Sequence, residues 1–396
     1  MSKKISLIWP VLLCLILPLI AAWFVYPETH LPPGFGVFPP EFVVQAPGFN
    51  KMVFTVLLVI EVALLVFLLF PTKFGFNPVK PLPPAPKVPY PKWFWLGLAL
   101  TIFFWWLMWE RFTVFGDLVY YAFTPLWWGF ILVLDGLVFH RNNGISLLSK
   151  KPTTLFISAI VSVGGWYFFE YYNYFALGNW YYPNGTMPAL SHSTIVILFL
   201  VAYTTVWPAI FQWYTLLNTY PRLVARYSQG PKLSISGNFL VWPSFVLIFA
   251  MVFYPFPLFW VVWVGPLFVL SGTLIKQKIW SPFTALSAGN WAPLLLIALS
   301  ALFNGFFWEM WNYGSEHPLS SIATNPNYWI YNVPYVNVIH IFSEMPLLGY
   351  FGYLPLGLLT WIVFIWAGQL FNFDASLDLT DTKSSLWNKL KGLIGK

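Results

Sequence analysis

Two stretches of the chain place a carboxylate and an amide three residues apart within a run of aromatic side chains. They are Gly165-Trp-Tyr-Phe-Phe-Glu170-Tyr-Tyr-Asn173-Tyr174 and Gly305-Phe-Phe-Trp-Glu309-Met-Trp-Asn312-Tyr313. On a helix, residues at i and i+3 share a face, so each Glu would lie beside its Asn. Downstream, Asn179-Trp180-Tyr181-Tyr182-Pro183 is echoed by Asn327-Tyr-Trp329-Ile-Tyr331, and a fainter third copy without the Asn ends at Trp109-Glu110. A carboxyl held by an amide at the mouth of an apolar cavity suits general-acid work near neutral pH. Tryptophan faces are the best aromatic partners for a cation, so the pairing fits protonation of an alkene and stabilisation of the carbocation that results. The expected acids are Glu170, Glu309 and Glu344. The expected substrate-binding side chains are Asn173, Asn312, Trp166, Trp180, Trp308, Trp329, His192 and His340.

The elements that must position these residues follow from composition. Of 396 residues, 59% are hydrophobic, 21% aromatic and only 8% charged, which excludes a soluble enzyme and a disordered chain. Cys14 is the only cysteine, so a disulfide scaffold is excluded too. What remains is an all-α, polytopic integral membrane bundle. Crossing the hydrocarbon takes about 20 apolar residues. About ten stretches qualify, near 5–25, 52–71, 93–110, 117–139, 153–176, 193–217, 237–254, 257–275, 291–313 and 345–369. On that count 18 of the 20 basic residues share one side, Lys51 and Arg111 being the exceptions, which places both termini in the cytoplasm at the cell membrane. The net charge of +7 then reads as topology and attraction to anionic lipid, with no nucleic acid as partner. The first span is expected to be an uncleaved anchor.

The organisation expected is a two-helix part over 1–71, a Pro-rich cytoplasmic linker over 72–92, an eight-helix body over 93–370 and a cytoplasmic tail over 371–396. Between Pro71 and Lys92 stand eight prolines and four lysines, a semi-rigid strap that could hold a cytoplasmic partner. In the tail, Trp387, Leu390, Leu393 and Ile394 among lysines predict an amphipathic surface helix over 384–396. The two Glu-x-x-Asn stretches suggest an internal repeat, and sites in membrane proteins tend to lie where repeats meet.

Depth in the membrane ranks the remaining acids. Glu61 is at mid-span, where an ionisable group costs roughly 2.5–3.5 kcal/mol on insertion scales. Asp135 is near an inner helix end, close to Arg141, and is expected to pair there or meet water. Metal binding is a second chemistry: His340 and Glu344 would share a face if their segment were helical, with His192, Glu170 and Glu309 converging on them. No Glu-x-x-His pair occurs, nor Gly-x-Ser-x-Gly, a P-loop or Gly-x-Gly-x-x-Gly, so neither a metal nor a cofactor is expected. Asn184-Gly-Thr186 is a formal glycosylation sequon on the outer side.

Phe123-Thr-Pro-Leu-Trp-Trp-Gly-Phe-Ile-Leu-Val-Leu-Asp135 with Gly144-Ile-Ser-Leu-Leu148, and Phe342-Ser-Glu-Met-Pro-Leu-Leu-Gly-Tyr-Phe-Gly-Tyr-Leu-Pro355, resemble segments of an uncharacterised family of prokaryotic polytopic membrane proteins. With the Glu-x-x-Asn stretches the resemblance covers roughly residues 105–365 and implies no established activity. The order of a Trp and an acid on one helix, a Trp-Tyr-Pro turn and then an apolar helix is similar to the repeats of membrane carotenoid cyclases of the lycopene cyclase domain type. Those carry Pro-x-Glu on the helix after the turn, where this chain has Glu344-Met-Pro346 in reverse order and no Glu in the helix after Pro183. That likeness implies acid chemistry on an isoprenoid or other lipid-type substrate. Two further function classes stand beside it: an ion-coupled transporter or channel with Glu61 in its path, and a structural or assembly subunit.

Overall fold

The computed structural model describes residues 3–41, 44–77, 79–111, 113–317 and 322–379, so the surface helix expected over 384–396 lies outside the described residues. The chain is all-helical. In order run α1 (Lys3–Val25), α2 (Lys51–Leu69), α3 (Lys92–Glu110), α4 (Phe123–Arg141), α5 (Leu147–Lys150), α6 (Pro152–Phe175), α7 (His192–Tyr203), α8 (Val206–Asn218), α9 (Pro221–Tyr227), α10 (Gly237–Phe253), α11 (Val261–Lys276), α12 (Pro282–Ala285), α13 (Ala292–Glu316) and α14 (Tyr353–Phe371). Two short strands, β1 (Trp180–Tyr181) and β2 (Ile330–Tyr331), pair antiparallel.

Among the described residues, eight helices are long and apolar enough to cross a membrane, which marks the chain as a membrane protein. They are α1, α2, α3, α4, α6, α13, the α7–α8 pair as one rod over His192–Asn218, and α14 with the 3₁₀ turn before it. The other two expected spans form α10 and α11, which are apolar but shorter. α10 ends within one residue of its expected stretch, whereas α11 starts only at Val261, after Pro255 and Pro257 have broken the backbone between the two. The fourth span likewise starts later than expected, because a 3₁₀ segment with a kink at Gly116 occupies Thr113–Tyr121.

Helices surrounded by lipid gain nothing from hiding apolar surface, so close backbone approach and hydrogen bonds must hold them together. Glycines supply the approach. A Cβ on Gly97 of α3 would fall 2.6 Å from the Gly129 carbonyl oxygen of α4, and one on Gly237 of α10 would fall 2.5 Å from that of Gly272 on α11. Prolines supply the bonding groups. Pro18 in α1 cannot donate to the Cys14 carbonyl, and the Tyr172 hydroxyl of α6 takes that oxygen at 2.8 Å. The Trp366 indole of α14 bonds the Leu7 carbonyl at 2.8 Å, so α1 is stitched to α6 and α14 while it packs along α10 and α11. The Pro-rich strap is tied to the end of α4 by Val88 N–H to the His140 carbonyl (3.0 Å) and Asn143 N–H to the Pro86 carbonyl (3.1 Å), with Tyr90 stacked on the His140 ring.

Asp135 departs from its expected place. It is fully buried, and its carboxylate accepts from the Trp93 indole (3.0 Å), the Ser146 hydroxyl (2.7 Å), the Leu148 N–H (2.9 Å) and the Gln212 amide (2.9 Å). Arg141 turns away, donating to the Thr219 hydroxyl at 2.8 Å and lying over the Tyr220 ring. Asp135 thus knots α3, α4, α5 and α8 together. Asp135→Ala strands four donors, each costing on the order of 1 kcal/mol or more when left unmet. Its thermal midpoint in detergent is expected to fall by several degrees relative to wild type, and an unchanged midpoint would refute the knot.

Candidate functional site

Glu170 points from the last turns of α6 toward the turn that follows. Leu177 and Gly178, both at positive φ, end the helix, with the Gly178 N–H on the Asn173 carbonyl at 2.9 Å. The Asn173 side chain then clamps the turn: its amide donates to the Trp180 carbonyl at 2.8 Å and its oxygen accepts from the Asn179 N–H at 2.8 Å. So held, the chain folds Trp180 and Tyr182 back over Glu170. The carboxylate accepts from the indoles of Trp166 (3.0 Å) and Trp180 (3.2 Å) and from the hydroxyls of Tyr182 (2.6 Å) and Tyr203 (3.0 Å).

Glu309 of α13 sits in a corresponding arrangement. The Asn312 amide donates to the Trp329 carbonyl at 2.8 Å, and its oxygen accepts from the Trp329 N–H at 3.1 Å. The carboxylate accepts from the hydroxyls of Tyr331 (2.7 Å) and Tyr353. Matching roles make Trp180 the counterpart of Trp329, Tyr182 of Tyr331 and Tyr203 of Tyr353. The two turns meet in the β1–β2 ladder, where Trp180 lies opposite Tyr331 and Tyr181 opposite its own counterpart Ile330.

Between the two turns is a cavity of about 250 Å³, walled by Trp180, Tyr182 and Tyr203 from one arrangement and by Trp308, Trp329, Tyr331 and Tyr353 from the other. Trp166, Trp263, Glu61, Asn179 and Asn327 are also part of its lining. Glu170 and Glu309, 1% and 0% exposed, stand one layer behind this wall, with the tyrosine hydroxyls between them and the space.

The expected site residues therefore divide. Trp166, Trp180, Trp308 and Trp329 line the cavity, and Glu170 and Glu309 support it. Asn173 and Asn312 do not face it; their amides hold backbone, because a side-chain amide near a helix end competes for the free groups of the next turn. Glu344 lies apart, accepting from the Tyr328 hydroxyl at 2.5 Å with His317 Nδ1 3.6 Å away. His192 is exposed at the start of α7, and His340 is exposed in the irregular segment after β2. That segment is not helical, so His340 and Glu344 do not share a helix face. Among the described residues, no group of three or more His, Cys, Asp or Glu is placed to hold a metal ion.

Four tyrosine hydroxyls and Trp263 were not singled out from the sequence. Tyr182 and Tyr331 carried a usable signal, each two residues beyond the echoed tryptophan; Tyr203 and Tyr353 come from helices farther along the chain. No family model, curated protein or solved structure matches this chain. Its likeness to carotenoid cyclase repeats accordingly rests on the residues alone.

Removal from water, and then the adjacent carboxylate, push the phenols of Tyr182 and Tyr331 well above the ordinary tyrosine range. An unfolded tyrosine ionises near pH 10, so these groups stabilise the fold below that pH and lose the contribution as pH rises toward their folded values. Unfolding midpoints measured from about pH 9 to about pH 11 are expected to fall, and to fall less steeply in a Tyr182→Phe, Tyr331→Phe double variant. Equal slopes would contradict the placement of these hydroxyls.

Proposed function

We propose that this chain is a membrane protein of ten crossings, built around two repeats, that binds or transforms an isoprenoid or similar lipid in the aromatic cavity between them. One observation carries the reading: two buried carboxylates, each held by tyrosine hydroxyls that also wall a tryptophan-lined space. Counting α10 and α11 as crossings places 18 of the 20 basic residues and both termini on the cytoplasmic side. The repeat is supported by the matching Asn clamps, the matching tyrosines, and the strand register in which Tyr181 faces its counterpart. Equivalents lying opposite each other is the mark of a two-fold axis, as in an isologous contact.

In this reading the carboxyls act through the tyrosines. In its protonated form the carboxyl group behind a hydroxyl such as Tyr182 or Tyr353 returns a proton to the phenol oxygen as that hydroxyl gives its own to the substrate, and positive charge appearing on a polyene lies against tryptophan faces. That chemistry is of the cyclase or isomerase type. A path for cations is the second reading, favoured by Glu61, the one buried residue of α2 and part of the cavity wall.

Lipid extraction and native mass spectrometry of gently solubilised protein distinguish these. Wild type is expected to carry an isoprenoid or other lipid whose amount or chemical form changes in a Glu170→Gln, Glu309→Gln double variant that keeps the wild-type elution volume. An empty cavity in both proteins, with proton- or sodium-driven uptake in proteoliposomes abolished by Glu61→Gln, would replace the lipid reading with the ion path.

A further inference from the structure

We infer that the cavity recognises a hydroxyl-bearing lipid, and that Glu61 is the group that accepts the hydroxyl's hydrogen bond. The inference rests on the lipid-binding reading above and narrows it to a substrate class. Its starting point is how α2 meets the rest of the protein. Nearly all of this helix faces outward, and its single buried residue is Glu61, 9% exposed. One turn earlier, Leu57 packs with Val53 and Phe54 against Val333, Val336 and Leu348, which places Glu61 over the cavity that it and Leu57 both line. Packing does not call for an acid here. A leucine would cover the same wall without the cost of carrying a carboxyl into the membrane.

Among the described residues, Glu61 has no hydrogen-bond partner, unlike Asp135, Glu170 and Glu309 with their converging donors. The same cavity holds further polar atoms left without partners. Both side-chain ends of Asn179, the Asn327 amide nitrogen and the Trp329 indole nitrogen are buried and unmatched, while the residues themselves are only 5%, 5% and 8% exposed. Buried polar groups are nearly always matched by protein, water or ligand. Here the unmatched set combines N–H donors with a carboxylate acceptor. A hydroxyl suits both: its lone pairs accept from Asn or Trp N–H groups, and its O–H donates a hydrogen bond to a carboxylate. A bare hydrocarbon meets none of these needs. Water filling the polar part of the cavity is the competing occupant, and the experiment separates the two.

Farnesol and farnesene share a fifteen-carbon chain and differ in the hydroxyl. Their binding to purified full-length protein can be followed by quenching of tryptophan fluorescence. Wild type is expected to bind farnesol at least tenfold more tightly than farnesene, a difference of about 1.4 kcal/mol. Glu61→Leu is expected to collapse that ratio toward one, and the substitution suits a helix that already faces lipid. Asn327→Leu, on a different element, is expected to reduce the ratio as well. Equal binding of both probes to wild type, or a ratio that survives Glu61→Leu, overturns the hydroxyl inference and leaves the lipid reading standing. Failure of wild type to bind either probe, in protein that also carries no lipid after purification, overturns the lipid reading itself.

Discussion

A carboxylate inside a bundle that lipid surrounds must be met by donors, and helices have none to give: their backbone N–H groups are already bonded within the helix. The donors that reach Glu170 and Glu309 are therefore mainly side chains, and most arrive from outside the helix carrying the acid. Tyr182 and Trp180 come from the turn after α6, Tyr203 from the end of α7, Tyr331 from β2 and Tyr353 from the start of α14. This requirement draws the connecting segments back over the bundle and brings β1 and β2 close enough to pair. It also selects large rings as donors, since an indole or phenol presents a polar edge to the acid and an apolar face to the space beyond. The cavity is the void those faces enclose.

Asp135 solves the same problem differently, and the contrast shows what is particular about the two glutamates. Its donors are one indole, one hydroxyl, one backbone N–H and one amide, drawn from α3, α5 with its cap, and α8. Saturating an acid this way makes a joint. Saturating Glu170 and Glu309 with tyrosines leaves hydroxyls that touch an acid on one side and a cavity on the other. Only the second arrangement connects a buried proton-holding group with a space that a substrate could occupy.

Much of the fold was readable because lipid imposes a simple composition: α1, α2, α3, α6 and α13 fall close to the apolar stretches that predict them. Where backbone chemistry interrupts the stretch, hydropathy did not see it. The α7–α8 rod is broken near Thr204 and Thr205, whose hydroxyls return to the carbonyls of Val201 and Ala202, and the prolines before α11 delay its start to Val261. At the site, the echo of Glu, Asn and Trp was local in sequence and so could be read. Tyr203 and Tyr353 lie tens of residues from the acids they bond, and no spacing rule joins them. Depth groups His192, His340 and Glu344 with the acids, but depth leaves lateral position open, and all three lie away from the cavity. Asp135 looked like a partner for Arg141 because the two are six positions apart; that spacing is well short of two full helical turns and puts them on different faces.

Within the proposed reading, a cavity built from two corresponding halves offers an elongated ligand no preferred direction, since each end would meet a similar wall. Direction has to come from something outside the pair. The helix α2 precedes both halves in the chain and brings one polar residue, Glu61, to the shared space. Asn179 and Asn327 add to the asymmetry, because matching the two turns by their tryptophans pairs Asn179 with Tyr328 and leaves Asn327 without a polar counterpart: the equivalent position is Gly178. Within the proposed reading, the two glutamates and their tyrosines provide equivalent acid groups, and the unpaired polar residues decide which of them a bound chain presents its reactive end to. Symmetry would then supply the chemistry twice, and the added helix would select where it is used.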